Sequence, residues 1–418
     1  WQTFLWWFSW KIRMNKQQAP LIAGVIIISF LMIFPFVYTA NNYPYVMHIM
    51  IAGFFYAILT SSWSMLAGYG GQFSFGHMGF TGIGAYTTAL FCHYIYLSPE
   101  ATNICTEFAV GSQYLIIVNP IGITSSTLVQ DCLREAMSIW DGSVEVTPMP
   151  VWLGIILGIA MGGLFGLLIG LLVLPLRAAY LALFTLGFTE ILRAVISSEL
   201  NITRGQAGLE LPKLFENGIT VFGRHFDKTD PLPPYFVMLF LLFFCLGVLY
   251  WLAQSKFGLF IRALREDQDA AAALGVNTTK YKVMLFVITS MMAAAAGAFF
   301  AHYIGIISPN NLMILQMSLV VSMAVIAGIE NIFAAAIGAI IIEFTLETLR
   351  TSFDVPLIGI EVDMTVWRLV IFGALLMITL RLSRNGIIAP IINYFLRGHV
   401  ADETVAKRKV SDNSEESA

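Results

Sequence analysis

Charge is scarce in this chain: Asp, Glu, Lys and Arg together make up 12% of its 418 residues. Soluble domains carry about 25% charged residues, so the composition argues against a soluble globular protein. The net charge of −3 gives no sign of a nucleic-acid partner, and none is predicted. Apolar residues make up 58% of the chain, and the mean hydropathy is +0.77. The sequence therefore predicts an integral membrane protein.

Several chemical motifs are also missing. No Gly-Lys pair occurs, so the phosphate-binding loop Gly-x-x-x-x-Gly-Lys-[Ser/Thr] is absent and we expect no ATP hydrolysis by the chain itself. The six histidines are scattered, and no nucleophile stands near a base in a recognisable pattern. We therefore expect no catalytic residue, no metal and no cofactor. Of the four cysteines, Cys105 and Cys132 share one loop, where they could form a disulfide or remain two thiols.

About ten apolar stretches of roughly 17–25 residues have the length needed to cross the hydrocarbon of a bilayer. They lie near residues 20–40, 45–67, 78–97, 151–174, 178–198, 234–254, 283–305, 313–329, 332–350 and 366–383. Several of them are short or are interrupted by glycine. The sequence thus predicts an all-α polytopic membrane protein with about ten transmembrane helices, some of them broken or short.

The distribution of Lys and Arg predicts the orientation in the membrane. With both termini in the cytoplasm, the inside segments carry fifteen of these residues and the long outside loops carry five. We expect a tryptophan-rich interfacial segment at residues 1–19, a transmembrane domain at 20–398 and a disordered tail at 399–418. Two loops, 98–150 and 199–233, are predicted to lie outside the cell.

A charged segment at residues 255–282 separates two long apolar spans and is predicted to lie in the cytoplasm. It is predicted to form a short helix in which Gly275, after Leu274, ends the helix, while Asn277 caps the next span. A rigid helix tied to two membrane helices could receive force from a soluble partner. The candidate contact residues are Arg262, Leu264, Arg265, Glu266, Asp267, Asp269, Leu274 and Gly275.

The stretch Gly68–Gly84 contains seven glycines in seventeen residues, between two apolar spans. Inside a membrane this composition allows either an unwound backbone that lines a cavity or a tightly packed helical hairpin. A second break at residues 174–177 precedes a helix on which Glu190 can pair with Arg193, as a structural ion pair or as part of a pathway. The candidate path residues are Gln72, Phe73, Ser74, Phe75, Gly76, His77, Thr185 and Glu190.

Two further acids, Glu343 and Glu347, stand four residues apart in an apolar span. A charge at membrane depth costs about 2.5–3.5 kcal/mol on insertion scales, so both must face protein, water or the outer surface. Burial against other helices or partner chains is one interpretation. A proton-coupled secondary transporter, in which Glu190, Glu343 or Glu347 carries the proton, is the other.

Three separated motifs carry a resemblance to a known family. They are Gly68–His77 with Gly82–Tyr86, Ile261–Asp267 with Ala272–Lys282, and Trp367–Gly373 with Arg384–Gly386. Together they resemble the larger of the two membrane subunits of branched-chain amino acid ABC transporters, over roughly residues 20–390. Urea and simple amide permeases share much of this pattern, so import of urea or an amide stays open, as does a passive channel.

The resemblance implies an ATP-driven importer in the plasma membrane of a prokaryote. Its other components would be a second permease subunit, two cytoplasmic ATPases and an extracytoplasmic substrate-binding protein. The charged segment would then be the coupling helix that sits in a groove of one ATPase. The glycine-rich stretch would belong to the translocation path.

Overall fold

The computed structural model describes residues 19–39, 44–99, 106–117, 147–173, 178–216, 218–221, 223–350, 353–355, 360–362, 364–383 and 386–390. The predicted tail, most of the predicted N-terminal segment, the break at 174–177, and both Cys105 and Cys132 lie outside these residues. The helices of the described part are α1 (Ala19–Thr39), α2 (Pro44–Ser64), α3 (His77–Tyr94), α4 (Val151–Val173), α5 (Ala178–Ser198), α6 (Leu232–Gln254), α7 (Lys256–Glu266), α8 (Gln268–Ala273), α9 (Thr278–Ile304), α10 (Ile314–Ala327), α11 (Ile332–Thr348) and α12 (Met364–Leu382).

Each of the ten predicted spans contains a helix, which confirms the helical polytopic fold class but not the predicted count of ten membrane crossings. Within the described residues, five helices are long and apolar enough to cross a membrane without a break: α2, α4, α5, α6 and α9. Helices α10 and α11 are long and apolar enough to cross a membrane only if they are taken as one span, and the chain bends by 118° between them. The break between them, at residues 328–331, forms where Gly328 has a φ of 127° and the Asn331 side chain accepts hydrogen bonds from the first amides of α11.

The core of the protein surrounds α2 and α9, whose side chains are largely buried. Helix α9 packs against α3 and α4, and α2 packs against α6 and α11. A Cβ atom at Gly84 would lie 2.1 Å from the carbonyl oxygen of Ala294, and one at Gly158 would lie 2.7 Å from the carbonyl oxygen of Gly84. Helices α3, α4 and α9 therefore meet through backbone contacts that only glycine permits.

Helix α4 carries glycine at every fourth position on its buried face. These residues are Gly154, Gly158, Gly162, Gly166 and Gly170. This repeat places one continuous small-residue stripe against the neighbouring helices, which is the common way for membrane helices to approach closely. The glycine repeat is visible in the sequence itself, but it was not among the predicted features.

Short antiparallel strands, which the sequence analysis did not predict, occur in the connections between helices. Three strands of the predicted loop 98–150, β2 (Thr106–Val110), β3 (Gln113–Ile117) and β4 (Thr147–Pro148), form a sheet with β1 (Ile95–Ser98) in the order β2-β3-β1-β4. The end of the predicted span 78–97 is therefore a strand and not a helix. In the loop 199–233, β5 pairs with β8 through Leu209 and Ile307, so this loop is fixed to the connection after α9. The other strands are β5 (Leu209–Glu210), β6 (Ile219–Val221), β7 (Arg224–Phe226), β8 (Ile306–Ile307), β9 (Phe353–Val355) and β10 (Ile360–Val362).

The charged segment forms two helices, α7 and α8, rather than the single short helix predicted. Asp267 separates them, because its carboxylate accepts hydrogen bonds from the amides of Asp269 and Ala270 at 2.9 and 3.0 Å and so starts α8. The predicted end of the helix is confirmed. Gly275 has a φ of 85°, and the amides of Gly275 and Val276 donate back to the carbonyls of the last turn. The predicted cap of the next span is confirmed too, since the Asn277 side chain accepts from the amide of Lys280.

Candidate functional site

The glycine-rich stretch interrupts the helical structure between α2 and α3. Helix α2 ends in a π turn (Met65–Tyr69), and residues 70–76 have no regular helix before α3 begins at His77. The π turn lies against the break between α10 and α11. The Ser64 hydroxyl donates to the carbonyl of Ile329 at 2.6 Å, and a Cβ atom at Gly68 would lie only 1.9 Å from the same oxygen. The backbone of this stretch is thus unwound, and its glycines permit close packing, whereas the lining of a cavity by these residues stays a prediction.

The unwound residues are held in place by hydrogen bonds from two helices, α2 and α5, and by one hydrogen bond among themselves. The indole nitrogen of Trp63 donates to the carbonyl of Ser74 at 2.8 Å. The Thr185 hydroxyl, in α5, accepts from the amide of Phe75 at 3.0 Å, and the Ser74 hydroxyl accepts from the amide of Gly76 at 3.1 Å. The structure therefore brings together the predicted path residues of the break and Thr185. Phe73, by contrast, is exposed over 46% of its surface.

Two buried polar side chains beside this break have no partner in the described part of the chain. Gln72 and His77 are 3% and 1% exposed. Within the described residues, neither the side-chain amide of Gln72 nor either ring nitrogen of His77 makes a hydrogen bond. A buried polar group without a partner costs about 1–3 kcal/mol. Such groups persist where water or a passing solute satisfies them, so these side chains mark the break as a candidate polar site inside the membrane.

Of the three acids predicted in or near the spans, Glu190 and Glu347 form ion pairs, whereas Glu343 forms none among the described residues. Glu190 pairs with Arg193 at 2.8 Å on α5, which confirms the predicted pairing, and both side chains are about one-third exposed. Glu347 accepts from Tyr45 at 2.9 Å and pairs with Arg350 at 2.9 Å and with Arg368, in α12, at 3.4 Å. Arg350 lies just beyond α11 and Arg368 lies on α12, so neither ion pair could be predicted from the apolar span alone.

One face of the charged segment points into the membrane domain. Leu264 is 4% exposed and belongs to the main core, so it is not on the surface that a partner could reach. The Arg262 guanidinium donates to the carbonyl of Ala253 at 2.6 Å, at the end of α6, and lies 5.5 Å from the ring centroid of Tyr69. Three predicted contact residues, Arg262, Leu264 and Arg265, therefore contact this chain itself.

Arg265 makes the most extended of these internal contacts. Its guanidinium donates to the carbonyl of Gly68, in the π turn, and to the carboxylate of Glu330, in the break between α10 and α11. The charged segment is thereby attached to both interrupted regions of the membrane domain.

The opposite face of the charged segment is open. Glu266 and Asp269 are exposed, and Leu274 is exposed over 86% of its surface. Leu259, which the sequence analysis did not select, is exposed over 64%. Residues two positions apart lie on nearly opposite faces of a helix, so the position of Leu259 two residues before the buried Ile261 could have predicted that it lies on the outer face of α7. Exposed leucines flanked by charges form a surface suited to a protein partner.

Apolar spans, interrupted helices that meet inside the bundle and a charged helical segment attached to them define a polytopic membrane permease. The chain belongs to the family of branched-chain amino acid transport system permease components, whose sequence pattern matches residues 45–380.

Individual relatives agree with this assignment. The chain is 32% identical over 216 residues to the high-affinity branched-chain amino acid transport system permease protein LivM of Salmonella typhimurium and, equally, to LivM of Escherichia coli. The match covers 47% of this chain and 51% of each relative. The permease protein LivH of Escherichia coli is 30% identical over 149 residues, which cover 35% of this chain and 48% of that protein. The chain thus spans about half the length of the relatives it matches, and no solved structure matches it.

Proposed function

We propose that this chain is a membrane-spanning permease subunit of an ATP-driven importer for branched-chain or other small amino acids. It forms part of the translocation path and transmits the movement of cytoplasmic ATPases to that path. The proposed partners are a second permease subunit, two ATPases, an extracytoplasmic substrate-binding protein and the surrounding lipid. The LivM and LivH relatives are named as branched-chain amino acid transport permeases, which supports the assignment to amino acid transport.

The observation that supports the coupling role is that the charged segment has one face attached to the membrane domain and one exposed face. Its inner face is attached to the π turn and to the break between α10 and α11 through Arg265, while its outer face exposes Leu259 and Leu274. A partner that moved the outer face would therefore move two interrupted helices at once. We propose Glu266, Asp269, Leu274 and Leu259 as the docking surface, with Asp267 and Gly275 fixing its shape. Rigid-body displacement of this kind is one of the usual ways in which transporters change access.

The proposed path runs beside the unwound residues 70–76. Gln72 and His77 supply buried polar groups there, and Thr185 holds the backbone of Phe75. In this proposal Ser74 and Gly76 shape the backbone, Phe73 and Phe75 supply apolar surface, and Glu190 stays in its ion pair with Arg193. The charge asymmetry supports cytoplasmic termini, which puts the charged segment on the ATPase side.

Purification of the tagged chain from cell membranes tests the proposal. We expect two ATPases and a second permease to co-purify, and we expect a binding protein loaded with L-leucine to stimulate their ATP hydrolysis. Proteoliposomes that contain the assembly should accumulate leucine only when ATP is supplied to the cytoplasmic face. Uptake by the chain alone under a proton gradient would instead favour a secondary transporter, and ATP-driven uptake of urea without amino acids would favour the amide permeases.

A further inference from the structure

A second feature of the membrane domain, separate from the unwound residues, is a cavity of about 180 Å³. It lies between α2, α3, α9 and the first turn of α10, beside the connection at residues 305–313. Most of its wall is aliphatic or aromatic. The apolar lining includes Phe55, Met78, Ala85, Phe300, Ala301 and Ile304.

The polar groups of the cavity come from Tyr56, Thr81, Asn311 and Gln316. The Tyr56 hydroxyl donates to the side-chain carbonyl of Gln316 at 2.8 Å, which orients the Gln316 amide. That amide also carries two N–H donors, and the Tyr56 oxygen keeps acceptor lone pairs. Asn311 adds a second side-chain amide from the connection after α9. Donors and acceptors of this kind suit a ligand with one carboxylate and one ammonium group.

The walls of the cavity are fixed by close packing. The rings of Phe55 and Phe300 stack with their centroids 4.4 Å apart. A Cβ atom at Gly82 would lie 2.4 Å from the Leu312 side chain, and one at Gly297 would lie 2.2 Å from the carbonyl oxygen of Thr81. A cavity between elements packed this tightly has a defined shape, so it can discriminate between ligands that differ by a methylene group.

We infer that this cavity binds the aliphatic side chain of a small L-amino acid, while Tyr56, Asn311 and Gln316 hold its charged end. The inference rests on the proposed function and assigns its substrate class to a site. An apolar cavity of about 150 Å³ is large enough for benzene, so the space here suits a branched side chain of four carbons. A sugar would bury hydroxyls against hydrocarbon, and urea has no apolar part to fill the wall.

The test is a change of substrate selectivity when the cavity is made smaller. The variant Ala301→Leu adds three carbons to a buried wall residue, and Ala160→Leu makes the same change on an exposed position of α4. ATP-driven uptake of L-leucine and of L-alanine is measured in proteoliposomes with one binding protein throughout, so its own preference is the same for every variant and cancels when the uptake ratios of variants and wild type are compared. We expect Ala301→Leu to lower the leucine-to-alanine uptake ratio about tenfold or more, and we expect Ala160→Leu to leave the ratio unchanged.

The ratio does not depend on how much complex assembles, so a lower yield of Ala301→Leu does not obscure the result. If that variant fails to assemble, Ala301→Val adds two carbons and should shift the ratio in the same direction by a smaller factor. An unchanged ratio in a variant that still transports would overturn the assignment of this cavity. Failure of the wild-type assembly to import leucine would overturn the proposed function, and this inference with it.

Discussion

Arg265 in α7 and Glu330 in the break between α10 and α11 form an ion pair. The same guanidinium donates to the carbonyl of Gly68 in the π turn that ends α2. One side chain thus connects the charged segment to two places where helices are interrupted. Since a regular helix resists bending and an interrupted one does not, these are the places where a displacement of the charged segment can change the membrane domain.

Removal of the Glu330 carboxylate should uncouple ATP hydrolysis from transport. The Glu330 side chain is 64% exposed, and an exposed ion pair contributes only about 0–1 kcal/mol to stability, so Glu330→Ala should fold and assemble. We expect the number of ATP molecules hydrolysed per leucine imported to rise several-fold, as measured by parallel phosphate release and radiolabelled uptake in proteoliposomes. Glu210→Ala, at an exposed glutamate of β5, is the matched control. Equal ratios for both variants would argue against transmission through Arg265.

An acidic residue at Leu274 should prevent docking of the ATPases without affecting the fold. Leu274 is exposed over 86% of its surface, so Leu274→Asp removes no buried contact, whereas Leu264→Asp would place a charge in the core. We expect the Leu274→Asp permease to reach the membrane in normal amounts and to lose co-purification with the ATPases. Leu200→Asp makes the same change at a 70% exposed leucine in the loop after α5 and should retain the ATPases. Retention by the Leu274 variant would contradict the proposed docking surface.

The features that the sequence predicted well depend on local chemistry. The length of the apolar stretches located a helix in each of the ten spans. The helix end at Gly275 and the helix cap at Asn277 were predicted correctly, because both depend on hydrogen bonds between residues a few positions apart. The inward direction of Arg265 could not be predicted, because its partners Gly68 and Glu330 are 197 and 65 residues away in the sequence. The short strands escaped prediction for a similar reason, since two-residue pairings such as β5 with β8 leave no alternating pattern to detect.

Some of the missed features were present in the sequence and were not used. The glycine repeat of α4 and the spacing of Ile261 and Leu264, which assigns the inner face of α7, are both local patterns. The lack of hydrogen-bond partners for the Gln72 and His77 side chains within the described residues is different, because it depends on which groups the surrounding helices bring near them. Composition indicated polarity in the break, but only the packed bundle defines which polar atoms lack partners.

An added methyl group at Gly84 should destabilise the bundle where α3, α4 and α9 meet. The new Cβ atom would lie 2.1 Å from a backbone oxygen of α9, and the helices would have to separate. Overpacking of this kind costs about 1–3 kcal/mol, so Gly84→Ala should lower the midpoint of thermal unfolding in detergent by several degrees. Gly187→Ala is the control, because nothing lies within 4 Å of its Cβ position on α5. Equal unfolding midpoints for Gly84→Ala and Gly187→Ala would show that the helices move apart at Gly84 without a loss of stability.

Replacement of Gln72 by methionine separates a path role from a packing role. If the amide serves only to fill space, then removing a buried polar group that has no partner among the described residues should leave transport unchanged and raise stability. If it lines the path, as proposed, Gln72→Met should keep or raise the thermal midpoint while leucine uptake falls at least several-fold. As a control, Tyr86→Phe removes a buried hydroxyl in the middle of α3 that also lacks a partner in the described part of the chain, and it should raise stability with normal uptake. Normal uptake by both variants would move the path away from residues 70–76, because a polar solute that passes there must exchange its water for these side-chain atoms.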